Sequence, residues 1–96
     1  MDTLKLSKPV KINGEEVKEI SYDLEALTGS DIQVAVKELA RKGIIVGTTE
    51  IDPNYHAAIF AVAAGLSLDD IGLIGAKDYN LATQKVRDFF LEPSAE

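Results

Sequence analysis

The chain contains no cysteine. Disulfides and thiolate metal sites are therefore excluded, and an intracellular setting is favoured. Histidine occurs once, at position 56, so any imidazole-based centre would have to rest on His56 alone. No apolar run reaches the roughly 20 residues that span a bilayer. The opening Met1-Asp2-Thr3 lacks the basic start and apolar run of a signal peptide. Positive charge is scarce: ten Lys and Arg against sixteen Asp and Glu leave a net charge of −6. That balance disfavours a nucleic-acid partner and favours solubility. Internal repeats and low-complexity segments are absent as well.

What is present suffices for one core. A chain of 96 residues with 46% hydrophobic side chains is expected to form a single domain and to bury roughly 60–65% of its unfolded surface. Residues 1–91 are read as that domain, and Glu92-Pro93-Ser94-Ala95-Glu96 as a polar, flexible tail. The centre of the domain is the stretch 53–66. Pro53 suits a first helical position and Gly65 the position just past a helix end. Between them, residues 57–64 carry no charge and are apolar on nearly every side, which predicts a buried helix.

Upstream, Leu4, Leu6, Val10 and Ile12 alternate with polar residues, a period of two that predicts a strand. Asn13-Gly14 is a hairpin turn signal, and residues 15–22 form the return strand. Pro9 cannot donate to a ladder, so the first strand should be an edge strand, or its N–H side at Pro9 should face outward. A two-residue turn sets Ile12 opposite Glu15, Val10 opposite Val17 and Lys8 opposite Glu19. Apolar residues then change phase: Val17 is odd, whereas Ile20, Tyr22 and Leu24 are even. A bulge between Val17 and Ile20 would repair the faces by pairing Leu6 with Tyr22 and Leu4 with Leu24. The alternative is a hairpin tip that projects into solvent and needs no consistent face.

Four helices are expected after the hairpin. Thr28 and Asp31 resemble a capping box that opens the first, with Ile32, Ala35, Val36 and Leu39 as its inward stripe and Gly43 as its end. Glu38 and Lys42 stand four apart, an order that favours an ion pair. Ile44-Ile45-Val46 could be a short third strand or a loop against the helix end, and the loop is favoured because nothing after it returns as a strand. After the central helix, Ser67 and Asp70 cap a short helix of about two turns. A last helix covers 76–91, with Tyr79, Ala82, Val86, Phe89 and Phe90 as its stripe. The fold class is thus α+β, an N-terminal β-hairpin followed by a small bundle of about four α-helices.

No catalytic constellation assembles from these elements. Asp52 and His56 stand four apart, but across Pro53 and a helix boundary. Asp69-Asp70 is accounted for by the partial positive charge of a helix N-terminus without a metal. The 43–47 stretch lacks the Gly-Lys-Ser/Thr ending of a phosphate loop. Residues 61–71 have the small residues, glycine and capped second helix of a DNA-binding helix-turn-helix. That second helix offers Asp69 and Asp70 and no Arg, so phosphate would repel it.

In order and spacing, the chain resembles the phage tail assembly chaperone family. The resemblance rests on the opening Leu4-Lys5-Leu6-Ser7-Lys8-Pro9-Val10, then Asn13-Gly14, Leu27-Thr28-Gly29-Ser30-Asp31-Ile32, Ala64-Gly65-Leu66, Lys77-Asp78-Tyr79 and the closing Val86-Arg87-Asp88-Phe89-Phe90-Leu91. It implies a non-enzymatic role with no cofactor and no shared catalytic residues. The implied work is to bind the tape measure protein, keep its long helical segments soluble and promote tail tube assembly. It also implies the tail tube protein and a longer, frameshifted form of the chain as partners, self-association, action in the host cytoplasm and absence from the mature virion. The competing classes are a small acidic protein-interaction adaptor, including a toxin–antitoxin-like module, and a helix-turn-helix regulator.

Residue spacing also suggests where a partner would sit. The last helix has more apolar surface than one seam requires, and the adjacent Phe89 and Phe90 point about 100° apart. Phe89 or Phe90, with Val86, Leu91 and part of Ile44, Ile45 and Val46, is expected to line an exposed apolar patch.

Overall fold

The computed structural model describes residues 1–91. The expected 92–96 tail lies outside the described residues. A two-stranded antiparallel hairpin, β1 (Asp2–Ile12) and β2 (Glu15–Tyr22), is followed by α1 (Gly29–Arg41), α2 (Pro53–Ala64), α3 (Leu68–Ile71) and α4 (Ala76–Leu91). This is the α+β layout that the change of period predicts.

The turn is as expected: Asn13 and Gly14 have φ of 54° and 83°, and Ile12 faces Glu15 while Val10 faces Val17. The rest of the expected register is corrected. Glu19 faces Lys5 rather than Lys8, Leu4 faces Ile20 rather than Leu24, and Tyr22 faces Asp2 rather than Leu6. Residues 6–9 of β1 stand against Lys18 alone, so the bulge lies in β1 and not in β2. Two causes act together. Pro9 has no N–H to offer the ladder. The N–H groups of Ser7 and Lys8 are turned away toward the Asp78 carboxylate, at 2.9 and 3.4 Å. The extra residues number three, an odd shift, which returns Leu4, Ile20 and Tyr22 to one buried face.

α1 begins where Thr28 donates its backbone N–H to Asp31 Oδ2 at 2.9 Å, and it is followed by Gly43 in the left-handed region. Ala35 and Leu39 are buried and Ile32 is half-buried, as their spacing predicts. Val36, expected in the same stripe, is 48% exposed. α1 packs chiefly against α2, so one neighbour covers only a narrow strip of it. The expected Glu38–Lys42 pair does not form. Glu38 pairs with Arg41, and Lys42, at the helix end, reaches Asp69 in α3.

α2 is the buried axis. Asp52 caps it, its Oδ1 accepting the Asn54 N–H at 2.8 Å, and Gly65 at φ 70° closes it. His56 to Ala61 are buried without a break, and α2 packs against α1 and α4. Complete burial of Ile59 and Phe60 contributes about 1.5–3 kcal/mol each. The hairpin is fastened to α2 at two points. The Tyr22 and Phe60 rings lie 4.8 Å apart, and the Asp23 N–H donates to the Ala63 carbonyl at 3.1 Å.

α3 is one turn rather than two, opened by the reciprocal Ser67–Asp70 box with both bonds at 3.1 Å. α4 has the predicted bounds, but its buried face is Asp78, Ala82, Thr83 and Val86. Tyr79 and Phe89 are half-buried beside that face, and Phe90 lies outside it. Among the described residues, no helix is long and apolar enough to cross a membrane.

Candidate functional site

The structure divides the residues expected to form a partner surface. Val86 is fully buried and belongs to the core, so the surface expected to include it does not. Phe89 is half-buried and turns toward the hairpin, beside Tyr22 and Leu24. Phe90 is 45% exposed and turns toward the start of α2, where it shares a cavity of about 230 Å³ with Thr49, Glu50, Tyr55, His56, Arg87 and Leu91. The two rings stand edge to face at 5.4 Å, directed apart as adjacent helical positions must be.

The α1–α2 connection supplies the rest. The Ile44 N–H donates back to the Leu39 carbonyl at 3.0 Å, which folds the chain over the end of α1. Ile44 and Val46 then line a mainly apolar cavity of about 210 Å³ with Val36, Leu39, Ala40, Thr49 and Tyr55. Ile45, between them, is 90% exposed. Thr49 and Tyr55 line both cavities, so the two form one continuous surface from Val36 across the connection to Leu91. Exposed Val36, Ile45, Phe90 and Leu91 mark its length. Exposed apolar surface of this kind marks interaction sites.

Asp52 holds this connection in shape. Besides capping α2, it accepts the Gly47 N–H at 3.2 Å through Oδ2. Its own N–H donates to the Thr48 carbonyl at 2.9 Å. Both carboxylate oxygens are therefore committed to backbone groups, and Asp52 is not a free partner for His56. His56 is buried; burial, then the Arg87 charge, lower its pKa, opposed by Asp52 and by a hydrogen bond with the Thr49 backbone. His56 is thus a neutral wall of the surface near pH 7.

Spacing alone did not reveal Tyr55, Thr49 and Val36. Tyr55 sits in the first turn of a helix apolar enough to look buried all round. Thr49 has no periodic neighbours to place it. Val36 falls at the edge of a stripe whose width depends on the neighbour. The signal that was available is the Ile44-Ile45-Val46 run, three β-branched residues in a connection.

Other chemistries find less support. No group of three His, Asp or Glu residues that could hold a metal occurs among the described residues. Asp70 caps α3, and Asp69 pairs with Lys42. α3 has four residues, too few to present a recognition face in a DNA groove, and both of its acidic residues would meet phosphate.

Among curated proteins and among solved structures nothing matches this chain. The family described as "Phage tail assembly chaperone proteins, E, or 41 or 14" matches residues 3–91, which takes in the hairpin, all four helices and the surface between them. This chain belongs to the phage tail assembly chaperone family.

Proposed function

We propose that the chain is a non-enzymatic chaperone that binds the tape measure protein and promotes tail tube assembly. The observation that carries this reading is the continuous surface joined at Thr49 and Tyr55, mainly apolar on the α1 side and mixed on the α4 side, where Glu50 and Arg87 flank Phe90 and Leu91. A long helical partner carries apolar stripes at i, i+3, i+4 and i+7, and such a stripe lies down in an apolar groove. Phe90 and Leu91 at one end and Val36 at the other give the groove two anchors. The net charge of −6 keeps loaded copies apart in solution. The work is done in the host cytoplasm before the virion is complete, with the tail tube protein and a longer frameshifted form of the chain as further partners.

The test is co-purification of the tape measure protein with single variants. Phe90→Ser and Val36→Ser should lose most of the binding while the melting temperature stays nearly unchanged. Phe89→Ser should lower the melting temperature more than Phe90→Ser and weaken binding less. Wild-type capture by both Phe90→Ser and Val36→Ser, with either protein folded, would remove this surface from the function.

A further inference from the structure

A third cavity, of about 340 Å³, lies on the other side of the α4 end, where β1 begins and the chain leaves β2. It is lined by Asp2, Glu25, Asp88 and Lys85 together with Tyr22, Leu24 and Phe89. Three carboxylates and one ammonium leave two negative charges around it. None of the three carboxylates is in an ion pair among the described residues, where the pairs are Arg41–Glu38 and Lys42–Asp69. Tyr22 adds an independent observation. It is only 3% exposed, its ring is held against Phe60, and its hydroxyl has no hydrogen-bond partner among the described residues. No enclosed polar side-chain atom lacks a partner, so this hydroxyl opens into the cavity. Burial, then the nearby Asp2 charge, raise its pKa, which keeps it neutral and able to accept or donate.

We propose that this cavity takes an arginine side chain of a protein partner, with the guanidinium among Asp2, Glu25 and Asp88 and its plane against Phe89. The charge calls for a cation. The mixed lining calls for one that is planar, weakly hydrated and able to lie on an aromatic face while its edge meets carboxylates. A metal ion is a poorer occupant, because no three acidic groups here converge closely enough to hold one. The Tyr22 hydroxyl supplies one more acceptor. The site is separate from the apolar surface, since Phe89 serves this cavity and Phe90 the other. The proposal therefore stands or falls independently of tape measure binding.

The experiment titrates the ¹⁵N-labelled full chain with N-acetyl-arginine methylamide at low salt, followed by amide NMR shifts. N-acetyl-citrulline methylamide, the uncharged isostere, is the comparison. Saturable shifts are expected at Tyr22, Glu25 and Asp88, with the citrulline probe about tenfold weaker. The exposed pair Glu25→Gln with Asp88→Asn should weaken arginine binding by a similar factor, and Lys85→Gln should strengthen it. The same spectra show that each variant is folded. Non-saturating shifts, equal binding of the two probes, or undiminished binding to the folded double variant would each overturn the proposal.

Discussion

Asp78 in the first turn of α4 holds Ser7 in the middle of β1, 71 positions away in sequence. The Ser7 N–H donates to both carboxylate oxygens at 2.9 and 3.0 Å, and the Ser7 hydroxyl donates to Oδ2 at 3.1 Å. The hairpin is thereby fastened to the last helix by a buried carboxylate, in addition to its apolar contacts. The backbone bond from Ser7 is the main reason the Asp78 pKa is lowered, against the opposing effect of burial. A lowered folded pKa stabilises the fold fully above the unfolded value, about pH 4, and this contribution is lost as pH falls through the folded value. Asp78→Asn should lower the urea midpoint at pH 7 with the slope unchanged. The gap from wild type should narrow as pH is taken from 5 toward 3, and parallel curves across that range would contradict the role given to the charge.

His56 acts on the same acid limb, gaining a positive charge where Asp78 loses a negative one. Its folded pKa is lowered, so the unfolded chain takes up the proton first as pH falls. Stability is complete above about pH 6.5, the unfolded value, and declines below it toward the folded value. The single histidine makes the measurement direct. Its imidazole proton resonances should titrate with a midpoint below 6.5 in the native protein, and His56→Gln should remove that part of the pH dependence. A native midpoint above 6.5 would mean that Asp52 and Thr49 outweigh burial and Arg87.

The core and the surface should separate cleanly in stability measurements. Phe60→Ala removes a fully buried ring that packs on Tyr22 and should cost about 3–5 kcal/mol. Leu39→Ala, which loses the inward anchor of α1, should cost about 2–5 kcal/mol. Phe90→Ser should cost about 1 kcal/mol or less, because nearly half of that ring already faces solvent. Chemical denaturation of the three variants reads the order, and a Phe90 change as costly as Phe60 would place that ring in the core.

Two glycines with equally open surroundings should respond in opposite directions to alanine. No atom lies within 4 Å of a Cβ built at either Gly29 or Gly65. Gly29 begins α1 without a left-handed φ, so Gly29→Ala should stabilise by about 0.4–1 kcal/mol. Gly65 closes α2 at φ 70°, so Gly65→Ala should destabilise by about 1–2 kcal/mol. Thermal melts of the pair isolate backbone conformation from packing, and shifts of the same sign would contradict the assignment.

The features legible in the sequence are those whose causes lie within about four residues. Asn13-Gly14 makes a turn because positive φ is needed at both positions. Thr28 with Asp31 and Ser67 with Asp70 make caps because each pair spans one helical turn. The stretch 57–64 is expected to be buried because no face of it is polar, and 57–61 are buried while Val62 to Ala64 are half-buried. These local causes determined the order and type of the elements, and the opening and closing motifs indicated the family. The location of the bulge could not be read in the same way. The phase change between Val17 and Ile20 left a bulge and a solvent-projecting tip both open, and Asp78, on the last helix, drew the extra residues into β1. The exposure of Val36 was decided by how much of α1 a single neighbour covers. That Phe89 and Phe90 point apart follows from their being adjacent on a helix. Which ring is covered, and the burial of Val86, were decided by what packs on each side of α4, the hairpin beside Phe89 and the start of α2 beside Phe90. A side chain's periodicity states which residues share a face, whereas its burial depends on what the rest of the chain brings to that face.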